Sequence, residues 1–267
     1  MSDPLLIERD GPVDRVTLNR PDRLNALNGE MVDALVTYFE GLYRNRDCRI
    51  VVLKANGRAF CAGLDMQPGE GPGSGMEATG PRRAWETQVR ISDIYRAMRK
   101  CPQPIISLVQ GPACGGGFSL ALASDIRIAA SNARMNAAYI RIGLTGCDMG
   151  SSYFLPRLVG ASMAAEIIMT GRFISAEEAL AMRLVSKVVP EEELGAAAAP
   201  LIEDMLNTAP MGLRLSKQAL NMAIDAPSLE NALAMEDRHQ ALLAQTEDSG
   251  EAVRAFLEKR KPDYRDG

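Results

Sequence analysis

Histidine is nearly absent from this chain, which contains His239 as its single histidine among 267 residues. A Ser-His-Asp or Cys-His mechanism would have to use that residue, and a histidine-based zinc site would lack the other ligands it needs. His239 lies in the polar, helix-like stretch EDRHQALLAQ, so we expect it to be an exposed helix residue. The composition therefore argues against histidine-dependent catalysis, and we expect no metal site.

Paired cysteines and long apolar runs are missing as well. The five cysteines form an odd set without a CxxC pair, a pattern that in a chain of this length predicts reduced, mostly buried thiols in a cytoplasm. No window approaches the ~18 uninterrupted apolar residues that a membrane span requires. The acidic, turn-rich start MSDPLLIERDGPV shows neither a secretory signal nor a transit peptide. We therefore expect a cytoplasmic protein without a membrane-spanning segment.

Signatures of nucleic-acid and nucleotide binding are absent too. Thirty Lys and Arg residues stand against 34 Asp and Glu, a formal net charge of −4, and no basic stripe that would suit a nucleic-acid partner is visible. The P-loop motif is absent, and no GxGxxG motif follows a predicted strand, which argues against P-loop and Rossmann sites. The remaining composition, 46% apolar and 24% charged residues, is typical of a soluble globular protein.

Alternating strand and helix patterns predict an α/β layered core. Apolar runs around a Gly-Pro turn predict a hairpin, the runs RIVVLK and IISLV predict buried strands, and DIRIA predicts a third strand. The predicted strands cover residues 5–8, 15–19, 49–54, 105–109 and 125–129. From residue 191 onward the pattern is helical and polar. We therefore predict an α/β core over residues 1–190 and a helical region over residues 191–267.

Two loops that follow predicted strands combine small residues with the start of a helix, namely AFCAGLDM and GPACGGGFS. Glycine lets a ligand approach the backbone closely, and the first N–H groups of a helix lack internal partners at the positive end of the helix dipole. Two such N–H groups converging from neighbouring loops would form an oxyanion hole, in which removal of one donor raises a reaction barrier by about 3–4 kcal/mol. The alternative is that the glycines only allow tight strand–helix packing, and the spacing leaves both interpretations open.

Five motifs occur in order along the chain: NRPDRLNAL, AFCAGLDM, QGPACGGGFSLALASD, the stretch 171–189 and AFLEKRKPDY. Together they resemble the crotonase family, also called the enoyl-CoA hydratase/isomerase superfamily, and the resemblance runs from Leu5 to Tyr264. It implies a crotonase-like spiral core of ββα units that carries an acyl-CoA thioester. It also implies a C-terminal helical trimerisation region, homotrimers that often pair into hexamers, and no cofactor beyond the coenzyme A of the substrate.

The resemblance implies roles for individual residues. The oxyanion donors would be the backbone N–H groups of Leu64 and Gly116, which would hold the thioester oxygen as negative charge develops on it. Phe256 and Lys259 of a neighbouring subunit would close over the adenine end of coenzyme A. The alternative for Lys259 and for Arg23 is a solvated surface charge. The alternative for Phe256 is packing within the C-terminal tail. The rest of the coenzyme A moiety would lie along Arg23, Leu24, Ala62, Asp65, Met66 and Gln67.

The chain departs from the hydratase pattern at both acidic positions. Family hydratases add water with two glutamates, and this chain has Ser119 and Tyr139 in the corresponding places. A serine or tyrosine with an ordinary pKa cannot act as an ionised base near pH 7, so we expect these residues to line the substrate pocket. Asp148 falls where some relatives carry a working aspartate, and a buried aspartate would have a raised pKa and could shuttle a proton. The alternative is a helix cap in which Asp148 bonds the amide of Gly150 or Ser151.

These expectations lead to an acyl-CoA-processing enzyme that stabilises a thioester enolate and uses Asp148 as its acid and base. Isomerisation, hydration by an altered route and hydrolysis all stay open, and the alternative is a catalytically silent acyl-CoA-binding protein. The loop 67–80 and a helix predicted over 81–101 would wall the acyl end of the pocket. Trp85 lies on that helix, where it would either line the pocket or pack in the core.

Overall fold

The computed structural model describes residues 3–77 and 79–267, which form two compact units. The first unit comprises the chain up to Cys101 together with Ile105–Ala198, and the second comprises Pro102–Pro104 with Ala199–Gly267. The division lies inside the helix Leu194–Leu206, shortly after the boundary predicted at 190–191. No described helix is both long enough and apolar enough to span a membrane.

Two sheets organise the first unit. The strands are β1 (Leu5–Asp10), β2 (Val13–Leu18), β3 (Ile50–Ala55), β4 (Ile105–Val109), β5 (Pro112–Cys114), β6 (Ile126–Ala130), β7 (Arg134–Asn136), β8 (Ile174–Ser175) and β9 (Lys187–Val189). The six-stranded sheet has the order β1-β2-β3-β4-β6-β9, with β1 and β2 antiparallel and the other neighbours parallel. The three-stranded sheet has the order β5-β7-β8. The predicted hairpin and the predicted buried strands are confirmed.

Helices follow most strands of the first unit and make up the second unit. They are α1 (Gly29–Gly41), α2 (Gly80–Lys100), α3 (Gly116–Ala123), α4 (Ser151–Val159), α5 (Ala161–Thr170), α6 (Ala176–Ala181), α7 (Leu194–Leu206), α8 (Pro210–Ala223), α9 (Leu229–Leu243) and α10 (Glu247–Glu258). This order confirms an α/β core followed by a helical region. His239 lies on α9 as predicted, but it is half-buried rather than exposed.

Two helix starts are determined by local side chains. The Asn28 side chain accepts a hydrogen bond from the Met31 N–H at 3.0 Å and caps α1. At α6, the Ser175 hydroxyl accepts from the Glu178 N–H at 3.1 Å, and the Glu178 carboxylate accepts from the Ser175 N–H at 2.8 Å. These caps satisfy N–H groups that a helix leaves unpaired. Asparagine and serine favour such cap positions, and a glutamate three residues after the serine completes a capping box.

The long helix α2 buries only its second half. Trp85 is 71% exposed, so the prediction that this side chain packs in the core is wrong. At about 1.5 Å of rise per residue, a helix of 21 residues is roughly 30 Å long. Its first half therefore runs past the core and keeps its side chains exposed or half-buried. The buried residues are Ile91, Ile94, Tyr95, Ala97 and Met98.

Residues 67–77 of the glycine-rich segment are bound to α2 through the side chain of Arg90. The Arg90 guanidinium donates to Pro72 O at 2.5 Å and to Gly29 O at 3.1 Å. It thereby links the segment to the start of α1. Ala78 lies outside the described residues. The glycines and prolines in the sequence predict only a loop here. The Arg90 side chain that bonds this loop belongs to a different element, α2.

Candidate active site

The loop after β3 holds a main-chain N–H group without an internal acceptor. Leu64 pairs with Leu27 in a single parallel bridge. In this bridge the Leu27 N–H donates to Gly63 O at 2.8 Å, and the Asp65 N–H donates to Leu27 O at 3.0 Å. Because Leu27 bonds the residues before and after Leu64, the N–H of Leu64 itself points away from Leu27. It has no acceptor within residues 3–77 and 79–267, so it can bind an oxygen outside the chain.

The start of α3 supplies a second such group. Gly116 is the first residue of α3, where backbone N–H groups lack partners within the helix and lie at the positive end of its dipole. The residues before it are held in place, since the Cys114 N–H donates to Cys61 O at 2.9 Å. The Gly115 N–H donates to Asn136 O at 3.0 Å. The Gly116 N–H is left without an acceptor in the described part of the chain.

The two loops approach each other at Gly63. Its φ is +96°, and a β-carbon there would lie 3.0 Å from Cys114 O and 3.6 Å from Gly116 N. Only glycine tolerates both this conformation and this close approach. Gly63 directly precedes Leu64, so the unpaired N–H groups of Leu64 and Gly116 belong to backbone segments in contact. A two-donor oxyanion site requires such an arrangement.

The glycine run also serves packing, as the alternative interpretation holds. A β-carbon on Gly117 would lie 2.2 Å from Cys61 O, a separation at which backbone atoms would have to move. On Gly116 it would lie 3.0 Å from Met149 Sδ and 3.1 Å from the Tyr95 hydroxyl. Close packing and exposure of the N–H groups therefore depend on the same glycines.

Tyr95 of α2 supports the first turn of α3. Its hydroxyl donates to Gly116 O at 3.0 Å and lies 3.2 Å from Met149 Sδ. Burial raises the pKa of Tyr95 well above the ordinary value, so the phenol keeps its proton and remains a donor. The sequence indicates only that Tyr95 lies on the buried face of α2, and its contact with Gly116 is a tertiary feature.

Ser119 and Tyr139 form a buried hydroxyl pair. The Ser119 Oγ of α3 lies 2.7 Å from the Tyr139 hydroxyl, which belongs to the 3₁₀ turn Ala138–Ile142. Burial raises the pKa of Tyr139 far above neutral pH, although the hydrogen bond with Ser119 acts in the opposite direction. Both groups are therefore uncharged near pH 7. The structure thus brings together the two residues that we expect to stand in place of the hydratase glutamates.

Asp148 is a half-buried carboxylate that interacts electrostatically with the Tyr139 phenol of this pair. Burial raises the pKa of Asp148 above its ordinary value, against hydrogen bonds to its carboxylate from the Met149 N–H and the Gln88 side chain. The Met149 N–H donates to Asp148 Oδ1 at 2.7 Å, and Gln88 Nε2 donates to the same oxygen. Asp148 in turn raises the pKa of Tyr139 through charge repulsion, which places the two groups in one electrostatic environment.

The helix-cap interpretation of Asp148 is wrong. The helix α4 begins at Ser151 with Gly150 at its cap position, and no side chain bonds the cap amides there. The main-chain oxygen of Asp148 accepts from the Ser151 N–H at 2.8 Å, while its carboxylate turns to Met149. The positive φ angles of Met149 (47°) and Gly150 (82°) turn the chain before the helix starts. The carboxylate is therefore not used to begin α4.

Asp65, in the motif AFCAGLDM, binds two arginines of the motif NRPDRLNAL. Its buried carboxylate lies 3.1 Å from the guanidinium of Arg20 and 3.1 Å from that of Arg23. Burial alone would raise the pKa of Asp65, but hydrogen bonds from the Gln67 N–H and the two guanidinium groups outweigh it and lower the pKa. In the adjoining backbone, the Ala62 N–H donates a hydrogen bond to the carbonyl oxygen of Leu24 at 3.0 Å. Arg23 and Gln67 therefore both contact Asp65, and Ala62 contacts Leu24. These contacts link five of the six residues that are expected to line coenzyme A in this region.

The arrangement is that of a known family, since residues 8–267 match the family described as Enoyl-CoA hydratase/isomerase. The chain belongs to this family. It is 38% identical over 264 residues to a probable enoyl-CoA hydratase of Mycobacterium tuberculosis, covering 98% of this chain and 93% of that relative. It is 35% identical over 251 residues to the 1,2-epoxyphenylacetyl-CoA isomerase of Escherichia coli, covering 93% of each chain. The crystal structure of an enoyl-CoA hydratase from Bacillus anthracis matches with a TM-score of 0.91 at 31% identity, covering 99% of this chain and 100% of that one.

Membership of the enoyl-CoA hydratase/isomerase family confirms the resemblance and the crotonase fold. Relatives named as hydratases and as isomerases match almost the whole chain. The protein is therefore an enzyme of the hydratase/isomerase type. The identity values alone favour neither reaction, because both kinds of relative are similarly distant.

The remaining residues that the family resemblance singles out are exposed. Phe256 is 81% exposed on α10, so it does not pack within its own helical unit. Lys259 follows α10 in a left-handed conformation with φ 54° and is exposed. Met66 and Trp85 are each 71% exposed. These side chains are accessible to a ligand or a neighbouring subunit, and their roles stay predictions.

Sequence reasoning missed three residues of the site. Gln88 bonds Asp148, Tyr95 bonds the Gly116 carbonyl, and Arg20 shares the carboxylate of Asp65. Arg20 stands inside the first motif and could have been found as a cation next to Arg23. Gln88 carries no local signal, because its partner lies 60 residues away in the chain.

Proposed function

We propose that this protein is an isomerase that moves a proton within an acyl-CoA thioester by way of a thioester enolate. The observation that carries the proposal is a half-buried carboxylate, Asp148, whose neighbour Met149 packs against Gly116: a β-carbon on Gly116 would lie 3.0 Å from Met149 Sδ. At the two positions expected to be acidic in family hydratases, Ser119 and Tyr139 bond each other at 2.7 Å. A single carboxylate suits a reaction in which one proton is taken from the substrate and returned to it.

Coenzyme A would enter as part of the substrate and lie along Arg23, Leu24, Ala62, Met66 and Gln67. The hydrogen bond between Ala62 and Leu24, 3.0 Å long, supports this because it joins the two segments that supply these residues. The sixth residue, Asp65, would act by orienting the Arg23 guanidinium rather than by touching the ligand. Its side chain is 3% exposed, whereas that of Arg23 is 34% exposed and can reach an anionic group.

The chemical step transfers one proton between two carbons. In a β,γ-unsaturated thioester, the Asp148 carboxylate would remove a proton from the α carbon, and the C–H electron pair would form an enolate. The enolate oxygen would accept hydrogen bonds from the Leu64 and Gly116 N–H groups. The protonated Asp148 would then return the proton to the γ carbon, which yields the α,β-unsaturated thioester and restores the carboxylate. Burial favours this role because it raises the pKa of Asp148 towards the value that a general base needs near neutral pH.

The hydroxyl pair supports isomerisation over hydration. Addition of water across a double bond requires a base for the water and an acid for the carbon. Ser119 and Tyr139 are buried and uncharged, and burial moves the pKa of Tyr139 further from neutral pH. They can shape the pocket and hold a polar atom, but they do not supply a second ionised group.

A thioester assay separates the candidate reactions. The protein is incubated with a β,γ-enoyl-CoA, an α,β-enoyl-CoA and a saturated acyl-CoA, while the ultraviolet band of the conjugated thioester and free coenzyme A are followed. We expect the band to grow with the β,γ-substrate and no coenzyme A to be released. Loss of the band from the α,β-substrate would indicate hydration, and release of coenzyme A would indicate hydrolysis. Binding without any turnover would indicate the catalytically silent alternative.

The role of Asp148 is tested by Asp148→Asn. We expect turnover to fall by a factor of about 100 or more, because the proton-transfer group is lost. Thioester binding should persist, measured as a ligand-induced rise in Tm. Asp204→Asn, at an exposed position on α7, is the control and should retain full activity. Undiminished turnover in Asp148→Asn would contradict the assignment.

We also propose that the protein is a cytoplasmic homotrimer, or a hexamer of paired trimers, assembled through its helical unit. Three of the five cysteines are buried and all are free thiols, consistent with a reducing compartment. Light scattering should give the mass of three or six chains, and a monomer would contradict the assembly. Large apolar side chains that are exposed in this unit support it: Leu220, Met222, Ile224, Leu229, Val253, Phe256 and Leu257.

A further inference from the structure

The hydrogen bonds to the Asp148 carboxyl all reach one of its two oxygens. The Met149 N–H donates to Oδ1 at 2.7 Å, and the Gln88 side-chain amide donates to Oδ1 as well. Oδ2 receives no hydrogen bond from any described residue. The two oxygens of this carboxyl are therefore not equivalent, and Oδ2 is the one left for a proton.

We propose that Gln88 is a positioning residue that holds Asp148 by Oδ1, so that Oδ2 is the oxygen that exchanges the proton with the substrate. This inference rests on the proposed function, because it concerns the group to which that function assigns proton transfer. Gln88 comes from α2 and Asp148 from the turn before α4, and the two are 60 residues apart. The amide therefore ties the carboxyl to a second element and limits its rotation.

An amide suits this role better than any charged group. Its N–H donates to Oδ1 whether Oδ2 carries a proton or not, so the contact survives both halves of the proton transfer. A carboxylate at position 88 would instead compete with Asp148 for one proton, as paired carboxylates do. An apolar side chain at position 88 would leave the Met149 N–H as the single donor, and the carboxyl could turn. The choice of glutamine therefore has distinct chemical consequences that substitutions can test.

The two phenols that interact electrostatically with Asp148 form their hydrogen bonds with other groups. Tyr95 bonds Gly116 O, and Tyr139 bonds Ser119. Burial raises the pKa of both phenols, and Asp148 raises it further by charge repulsion, so both stay protonated when Asp148 titrates. Neither phenol bonds the Asp148 carboxyl in the described chain. The effects of substitutions at position 88 on the pH–rate profile can therefore be attributed to the ionisation of Asp148.

The experiment uses the full-length protein with Gln88→Met and Gln88→Glu. Methionine has a similar length and no amide, so we expect kcat to fall about tenfold, with KM changed by less than about twofold. Glutamate should shift the rising limb of the pH–rate profile upward by about one pH unit or more, because the carboxyl pair retains a proton. A ¹³C NMR titration of the Asp148 carboxyl should show the same upward shift without depending on activity. Glu86→Met, on the same helix at a half-buried side chain that pairs with Arg82 rather than with Asp148, is the matched control and should leave both profiles unchanged.

The possible results separate this inference from the proposed function. If Asp148→Asn is inactive but both Gln88 variants keep the parental pH profile and Asp148 titration, the positioning role is overturned and the proposed function stands. If Asp148→Asn stays active, both are overturned. If Gln88→Met loses activity because α2 is destabilised, the titration of Asp148 in folded Gln88→Glu still decides, since a purely structural role would not move it.

Discussion

The main-chain half and the side-chain half of the proposed site are built in different ways. The main-chain half consists of the N–H groups of Leu64 and Gly116, which are placed by a strand bridge and by the start of a helix. The side-chain half consists of Ser119, Tyr139 and Asp148, and it depends on which residue stands at each position. The first half therefore depends on backbone packing, whereas the second depends on the identity of each side chain.

This difference explains how one family contains different reactions. The chain is 38% identical to a relative named as a probable hydratase and 35% identical to one named as an isomerase. A backbone oxyanion site serves any reaction that develops charge on a thioester oxygen. The side chains around it then decide where protons go. The comparison between the two halves yields four predictions, in order of decreasing effect.

Gly117→Ala should disrupt the main-chain half. The new β-carbon would lie 2.2 Å from Cys61 O, so the loop or α3 must move and the Gly116 N–H loses its place. We expect activity to fall by about 10²–10³-fold and the free energy of unfolding to fall by about 1–3 kcal/mol, measured by kinetics and thermal melting. Gly195→Ala is the control, because no atom lies within 4 Å of its added β-carbon. Equal effects of both substitutions would refute the packing argument.

Asp148→Asn should abolish the function of the side-chain half. At pH values above the ordinary carboxyl pKa, it should also stabilise the fold relative to wild type. The folded pKa of Asp148 is raised from 3.8, so between these two pKa values the folded state holds a proton that the unfolded chain has released. Wild-type stability therefore falls as pH rises through this window, and asparagine, which does not titrate, escapes that loss. The Tm of the variant relative to wild type should increase from about pH 4 towards neutrality. A Tm difference independent of pH would contradict the raised pKa.

Tyr139→Phe should have a moderate effect. It removes the partner of the buried Ser119 hydroxyl and should lower stability by about 1–3 kcal/mol, the range for a buried polar group left unpaired. Because the proposed proton-transfer group is Asp148 and not this phenol, turnover should change by less than about tenfold. Denaturant unfolding and steady-state kinetics check the two effects. A loss of activity as large as that of Asp148→Asn would show that the hydroxyl pair takes part in the chemistry.

Leu64→Ala should have the smallest effect on turnover. The proposed donor is the main-chain N–H, which alanine retains, so kcat should stay within about threefold of wild type. The half-buried side chain packs against the core, and its loss should lower stability by about 1–2 kcal/mol. A kcat that falls in parallel with that of Gly117→Ala would contradict the separation between main-chain and side-chain functions.

Sequence reasoning succeeded where the signal is local. The buried strands β3 and β4 follow from continuous apolar runs, and the caps at Asn28 and Ser175 follow from residue types next to helix starts. It failed for Trp85, because apolarity and helical spacing do not reveal where a long helix leaves the core. It also failed for the helix-cap alternative at Asp148, because the positive φ angles of the two residues before α4 turn the chain there.

The sequence alone determined the elements, the family and the candidate residues, since each depends on the chemistry of neighbouring residues or on ordered motifs. Tertiary structure alone decided which of these groups act on one another. The contact of Arg23 with Asp65 joins residues 42 apart, and that of Gln88 with Asp148 joins residues 60 apart. No periodicity or local propensity encodes such pairs, because their partners meet only after parallel strands and their connecting helices have packed.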